Sequence, residues 1–366
     1  MIRILQITAS LRIGGAEKVA KDIGLYGRVT GLSVDYLVFG DAVCGYEPEL
    51  IQHGCKVIHF PSPSVNYVQY YKSLKKLIHD NNYSVVHAHT MFNAGWAMLV
   101  ARQEGVPIRI AHAHSALNDG HDFMKQAYEH VMRRLILRNA TDLVACGDTA
   151  GIRLFGKSAY EKRGKCILNG IDVNQFAYSQ KDRIRIRANL HIQDDFVIGH
   201  VGHLAAVKNQ AFLIRMMPQI LERKPNAKLL MLGDGEDRSM LQKIVRDRGL
   251  TDRVIMTGNV SNVSDYLSAM DVFAFPSLYE GMPLSIIEVQ ANGLPCILST
   301  GVPKDVYLTD LIMPLPLERP EQWVEEICKA DRREPGKYAS EIRRQGLDTN
   351  TVMRQYMELY ERTERY

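Results

Sequence analysis

Apolar, β-branched runs alternate with amphipathic stretches along most of the chain. Ile2 to Thr8 is the first run. It stops at Ser10, meets Gly14-Gly15 and gives way to AEKVAKDIGLYG, where Ala16, Val19, Ala20 and Ile23 recur at helical spacing. The pattern predicts a strand, a glycine turn and a helix. Further strands are predicted over 34–40, 85–89, 108–114 and 142–147, with helices over 73–82 and 97–105. Strands that alternate with helices need crossover connections, and crossovers produce a parallel sheet covered on both faces. In such a sheet the loops at the C-terminal strand ends are where ligands bind.

The rhythm breaks between 170 and 195, where GIDVNQF reads as loop and KDRIRIRANL is strongly basic. A second series follows, with strands over 196–203, 228–235, 254–260, 272–277 and 296–300 and helices over 209–221 and 239–249. From about 350 onward a helix carries Met353, Tyr356, Met357 and Tyr360 on one face. The predicted fold class is α/β, with two Rossmann-like parallel-sheet domains, 1–175 and 176–348, facing a central cleft, and a final helical segment, 349–366.

Composition narrows the class without choosing an activity. The 366 residues are 46% hydrophobic and 23% charged, which is ordinary for a globular protein and excludes collagenous, disordered and small disulfide-stapled chains. No uninterrupted apolar stretch reaches the ~18 residues of a membrane helix. MIRILQITASLR lacks the apolar core and the cleavage site of a secretory leader. A formal charge of +4 is too small to indicate nucleic acid. Cys44, Cys55, Cys146, Cys166, Cys296 and Cys328 stand far apart with no C-x-x-C pair, which argues against zinc and for a reducing compartment. There is no H-E-x-x-H, His87, His89, His112 and His114 form no helical metal pair, and Gly14-Gly15 is not G-x-G-x-x-G. Neither a metal nor a dinucleotide is expected.

The densest chemistry lies in FPSLYEGMPLSIIE, 275–288, which follows a strand and leads into a helix. Glu280 falls on the loop and Glu288 about one and a half turns into the helix. Backbone N–H groups at the helix start attract phosphate or polar hydroxyls. Two carboxylates beside an anion site suit a sugar nucleotide. The same residues also read as a plain helix start with Glu280 near its positive end, and the segment alone leaves both open.

Five segments decide between them. GGAEKV (14–19), NGID (169–172), GHLAAVKN (202–209), LGDGED (232–237) and AMDVFAFPSLYEGMPLSIIEVQANGLP (269–295) resemble, in this order, the family 4 retaining glycosyltransferases of GT-B fold. The bacterial capsule and exopolysaccharide subgroup is the most similar. Glu280 and Glu288 match that family's Glu-x7-Glu motif. The resemblance implies an acceptor-binding first domain, a nucleotide-sugar-binding second domain, and a last helix that crosses back onto the first.

It also implies roles for single residues. Lys208 pairs with the donor diphosphate as a point charge. Glu288 accepts from ribose hydroxyls and Glu280 from donor-sugar hydroxyls. Met282, Pro283 and Leu284 share the donor loop, though Pro283 has no N–H to give. Gly233 lies in the loop near the base. Gly14 and Gly15 let the backbone approach the donor phosphates. His114 stands near the reacting sugar, with His112 pointing to the same side. The catalytic set is therefore Glu280, Lys208 and His114. One departure is His203, where the family usually carries Arg; a histidine is only partly charged near neutrality. His89 is expected to be a loop histidine satisfied by backbone, with contact to substrate as the alternative.

The implied activity is retaining transfer of a hexosyl group from a nucleotide sugar, first of all a UDP-sugar, to a glycan or polyprenyl-diphosphate-linked acceptor. It requires no cofactor and no metal, and no nucleic acid takes part. A GT-B nucleotide-sugar epimerase and a non-catalytic pseudo-glycosyltransferase subunit are the alternatives. Met124, Ala127, Tyr128, Val131, Met132 and Leu135 share a helical face, and from Lys125 to Lys165 nine basic residues stand against four acidic ones. The region is expected as an ordinary sheet-covering helix with a solvated basic side, or as a surface for anionic lipid. The expected location is the cytoplasm, with peripheral contact at the inner face of the membrane.

Overall fold

The apolar runs become the strands of two parallel sheets. The computed structural model describes residues 2–12, 14–115, 123–332 and 335–362. The chain divides into two units, Met1–Gly170 with Thr349–Tyr366, and Ile171–Asp348. In the first, β1 (Arg3–Ile7), β2 (Ser33–Phe39), β3 (Lys56–Phe60), β4 (Val85–Ala88), β5 (Ile108–Ala113), β6 (Asp142–Ala145) and β7 (Gly164–Cys166) lie in the order β3-β2-β1-β4-β5-β6-β7. In the second, β8 (Phe196–Val201), β9 (Ala227–Leu232), β10 (Val254–Gly258), β11 (Val272–Phe275), β12 (Cys296–Ser299) and β13 (Ile312–Leu315) lie in the order β10-β9-β8-β11-β12-β13. Every pairing between these strands is parallel.

The first core forms where the helix Gly15–Val29 lays Val19, Ala20 and Ile23 on Ile4, Tyr36 and Val38. Fully burying a side chain of the size of Ile23 stabilises by about 1.5–3 kcal/mol. Gly24 is required there, since a Cβ would sit 1.9 Å from the Tyr36 hydroxyl, and that hydroxyl donates to the Ala20 carbonyl at 2.6 Å. The last helix, Thr349–Tyr360, completes the same core with Val352, Met353, Tyr356, Met357 and Tyr360. Residues 363–366 of that predicted helix lie outside the described residues.

The expected boundary at 175 moves to Gly170. Ile171 and Val173 are buried, and the Ile171 N–H donates to Leu347 at 2.9 Å within the second unit. Residues 170–195, where the rhythm breaks, also form helices. Gln180–Leu190 is a helix capped by Ser179. Its Arg183 and Arg187, one turn apart, both bond Asp271 at 2.5 Å. Arg187 is buried and also donates to the carbonyls of Ala269, Gln193 and Asp195. In the strongly basic stretch, Arg183 and Arg187 are thus the helix's docking face.

The helix Phe123–Asn139 turns a different side inward from the one the periodicity suggests. Met132, Ile136 and Asn139 are buried, while Met124 and Val131 are exposed. Strands β3, β7 and β13 went unpredicted; each is an edge, β3 and β7 more polar than the central strands and β13 interrupted by Pro314.

Candidate active site

Both strand orders reverse direction once, between β1 and β4 and between β8 and β11. Connections leave such a point on opposite faces and open a crevice at the C-terminal strand ends. In the second unit the loop after β8 carries Gly202 to Lys208 and the loop after β11 carries Pro276 to Pro283. The sequence candidates therefore converge because the chain order puts both loops at one crevice.

Direct bonds tie the two loops together. The Leu278 N–H donates to the Val207 carbonyl at 2.8 Å. Asn209 closes a 3₁₀ turn, Ala206–Lys208, in the left-handed region at φ 52°, and its side chain donates to Pro276 at 3.3 Å. Between these ties, Lys208 Nζ donates to Glu280 Oε1 at 2.6 Å and sits 5.1 Å from the Phe275 ring centre. Ser277 is buried and also donates to Glu280 Oε1, with its own carbonyl held by the Ser299 hydroxyl. Both bonds to Glu280 use Oε1. Lys208 has three N–H groups, so each partner keeps bonding capacity beyond the pair.

The helix Leu284–Ala291 follows at once, with Pro283 as its N-cap. Leu284, Ser285 and Glu288 are its half-buried positions and the rest are buried. Spacings of three and four put those three side chains on one face. The first amides of a helix have no intrahelical acceptor, so the open face presents N–H groups at its start and a carboxylate one turn on. Met282 is half-buried and Pro283 buried.

Gly233 has φ 129°, and a Cβ there would meet the Gly202 carbonyl at 2.1 Å. The loops after β8 and β9 thus touch through backbone. The Leu204 N–H donates to Asp234 O and the Asp237 N–H to Leu204 O, each at 3.0 Å. His203 Nε2 lies 2.8 Å from Glu236 Oε2, and both side chains are largely exposed. His203 is therefore paired with an acid outside the Lys208–Glu280 cluster. Behind the loops, buried His200 stacks on Phe273 and Phe275, and burial lowers its pKa to about 4.

The remaining candidates lie on the first unit. Gly14 is the N-cap of the helix Gly15–Val29, with no side-chain cap. Neither Gly14 nor Gly15 has positive φ, and a Cβ on Gly15 would meet nothing within 4 Å. A cavity of about 330 Å³ opens at the ends of β1 and β2, lined in part by Ser10, Arg12, Asp41 and Glu47. At the ends of β4 and β5 lie His87, His89, His112 and His114. His112 and His114 do point to one side, with ring centres 3.9 Å apart. His89 is held by side chains, Gln6 and His114 at 2.7 Å each, rather than by the expected backbone group. Burial holds His87, His89 and His112 well below the ordinary histidine pKa, and lowers His114 to about 3. Facing ring nitrogens of His87, His89 and His112 lie within 4.8 Å of one another, close enough to ligate a metal.

The glycosyltransferase family 4 model matches residues 13–175 and the glycosyl transferases group 1 model matches 182–310. EpsF of Bacillus subtilis (strain 168), named as a glycosyltransferase, is 34% identical over 335 residues, covering 90% of this chain and 87% of that protein. The chain belongs to the family 4 glycosyltransferases. Another relative of this family 4 chain is the UDP-Gal:alpha-D-GlcNAc-diphosphoundecaprenol alpha-1,3-galactosyltransferase of Escherichia coli. It is 28% identical and covers 76% of this chain and 71% of its own length. Anabaena HepE, solved with UDP and glucose, superposes with TM-score 0.80 at 22% identity, over 98% of this chain and 99% of its own. That likeness establishes the GT-B fold of two Rossmann-like domains.

Sequence reasoning missed Ser277, Asp271, Gln6 and Tyr360. Ser277 stood inside the quoted motif, three residues before Glu280, which is a reach a hydroxyl often makes. Asp271 stood in the same quoted segment and Tyr360 on the apolar face of the last helix, but neither they nor Gln6 carried a local sign of a partner. Part of the basic surplus between 125 and 165 is also spent internally. Arg133 bonds the carbonyls of Leu154 and Arg153, Arg163 those of Leu137 and Ala140, and Arg153 grips both oxygens of Glu129. Among the described residues no helix is long and apolar enough to cross a membrane.

Proposed function

We propose that this glycosyltransferase moves a hexosyl group from a UDP-sugar to a saccharide or lipid-linked acceptor in cell-surface polysaccharide synthesis, with retention of anomeric configuration. The observation that carries the reading is the Lys208–Glu280 pair beside the open face of Leu284, Ser285 and Glu288. Relatives named for galactosyl transfer to a diphosphoundecaprenol substrate and for capsular polysaccharide biosynthesis support the substrate class.

In this reading the diphosphate meets Lys208, His203 and the first amides of the helix Leu284–Ala291, which stabilise charge as it departs. Glu280 keeps Ser277 on Oε1 and offers Oε2 to sugar hydroxyls. Glu288 takes ribose hydroxyls, and Gly233 gives the base loop its tight turn. The bond from the anomeric carbon to the phosphate oxygen breaks as the bond to the acceptor oxygen forms on the same face. The acceptor proton passes to the departing phosphate oxygen.

Exposed Phe123, Met124 and Val131 lie on the helix that opens the basic region, an apolar and basic combination suited to the edge of an anionic bilayer. Vesicles with and without anionic lipid test that contact by co-sedimentation.

The enzymatic test is incubation with a panel of UDP-, GDP- and ADP-sugars and an undecaprenyl-diphosphate-linked sugar, with the product's anomeric configuration read by NMR. A retained glycosidic product from a UDP-sugar is expected. An inverted product refutes retention. A rearranged nucleotide sugar without acceptor favours the epimerase, and nucleotide binding without sugar release favours a non-catalytic subunit.

A further inference from the structure

The four histidines at the ends of β4 and β5 are threaded on a single line of hydrogen bonds. His112 Nδ1 lies 3.2 Å from His87 Nε2, and His87 Nδ1 lies 2.7 Å from the Tyr360 hydroxyl. Gln6 Nε2 lies 3.2 Å from the same hydroxyl. Gln6 Oε1 meets His89 Nε2 at 2.7 Å, and His89 Nδ1 meets His114 Nε2 at 2.7 Å. The line ends at two atoms, His112 Nε2 and His114 Nδ1, both buried and without a partner among the described residues. Among the described residues no carboxylate hydrogen-bonds to these rings.

Burial keeps all four rings neutral at ordinary pH, so each carries one N–H and one lone pair. A chain of such groups has a direction: fixing one proton fixes all the others. Only two arrangements exist, and the Gln6 amide selects between them. The Gln6 amide donates through Nε2 to the Tyr360 hydroxyl. The Tyr360 hydroxyl therefore donates to His87 and accepts from the Gln6 amide. Gln6 Oε1 is then the acceptor of His89 Nε2–H. His89 Nδ1 must accept, so His114 donates through Nε2 and holds Nδ1 bare.

We propose that Gln6 and Tyr360 are positioning residues that set the tautomer of His114, so that its Nδ1 accepts a hydrogen bond from a sugar hydroxyl. A group meeting that nitrogen must donate a hydrogen, which excludes a phosphate or carbonyl oxygen. Phosphate recognition is thereby left to the other elements. The inference rests on the proposed place of His114 beside the reacting sugar, and its experiment separates the two.

The experiment is a long-range imidazole ¹⁵N correlation spectrum of the full chain, beside steady-state kinetics. Wild type is expected to show His114 as the neutral Nε2–H form, unchanged through the physiological pH range. Gln6→Met and Tyr360→Phe each cut the line, so His114 becomes a mixture of tautomers. A misplaced imidazole proton can cost several powers of ten in rate; here kcat is expected to fall by at least about tenfold with the donor KM little changed. Tyr356→Phe is the control, because the Tyr356 hydroxyl has no partner among the described residues although its ring lies 5.8 Å from those of His87 and His112. It should move neither spectrum nor kcat. Nδ1–H or imidazolium on His114 in wild type overturns the proposal at once, even if neither variant folds. Zinc retained stoichiometrically with His87, His89 and His112 shifted as ligands also overturns it. A tautomer that scrambles while kcat holds supports the proton line and refutes the role of His114 in the reaction.

Discussion

Replacing Lys208 by alanine tests the donor site at its most defined contact. The ammonium lies 2.6 Å from Glu280 Oε1, with the side chains of Lys208 and Glu280 only 19% and 10% exposed. A unit charge at ~4 Å in a partly screened site is worth about 4 kcal/mol. If roughly half a charge develops on the leaving diphosphate, about 2 kcal/mol of transition-state stabilisation is lost, or about thirtyfold in kcat. The folded state loses less. Ser277 still donates to Glu280, so the cost is that of one unmade bond to a half-buried carboxylate, about 1–2 kcal/mol, or roughly 2–8 °C in Tm for a unit of this size. Lys208→Arg keeps the charge but exchanges a compact ammonium for a planar fork, and should recover part of the rate. The assay is single-turnover sugar transfer with donor in excess, beside a thermal melt. A Lys208→Ala enzyme that folds and turns over within a factor of about two of wild type removes Lys208 from the reaction.

Gly15→Ala should leave Tm unchanged or slightly higher, since its Cβ meets open space and alanine is the better helix former; a fall of about tenfold or more in kcat/KM at intact Tm would mark a ligand that needs the gap. Gly233→Ala should lower Tm by several degrees, because its Cβ would lie 2.1 Å from the Gly202 carbonyl at φ 129°, a clash and strain of about 2 kcal/mol or more. Acid should open the first unit before the second. The buried rings of His87, His89, His112 and His114 bind protons only far below the ~6.5 of an unfolded histidine. Below about pH 6.5 the unfolded chain therefore binds more protons, and each ring subtracts about 1.4 kcal/mol of stability per pH unit down to its folded pKa, or about 2 kcal/mol by pH ~5. The second unit buries one such ring, His200, so hydrogen exchange near pH ~5 should be faster in 2–115 than in 196–275, and equal protection would contradict the neutral-ring assignment.

The central strands were legible because strands covered on both faces read as unbroken apolar runs, as in VVHA and VFAF. The edges of the first sheet were not, since KVIHF and GKC bury little and resemble loop. The helix Gln180–Leu190 escaped notice because its inward side holds one buried apolar residue, Ile186, and apolar periodicity carries little trace of a helix that docks through Arg183 and Arg187 on Asp271. In the helix Phe123–Asn139 apolar side chains ring more than one side, so the pattern could not say which side faces in. At the site, Lys208, Glu280 and Glu288 were readable as a motif. Their pairing was not, because Lys208 and Glu280 are 72 positions apart and meet only through the strand order. The proton line is further out of reach, since its central bond joins Gln6 to Tyr360, 354 positions away.

That separation imposes an order on synthesis. The unit that contains β1 has its sheet within the first 170 residues, yet Tyr356 and Tyr360 fill its core from beyond residue 348. Everything in the unit Ile171–Asp348 is made before those tyrosines exist. On a growing chain the domain begun first is finished last. It must wait with a bare apolar groove over β1 and β4, and with its four histidines open to water and free to take protons, while its neighbour folds on uninterrupted sequence. A nascent-chain chaperone, or a drop in pH, would therefore find its target in the older half of the polypeptide.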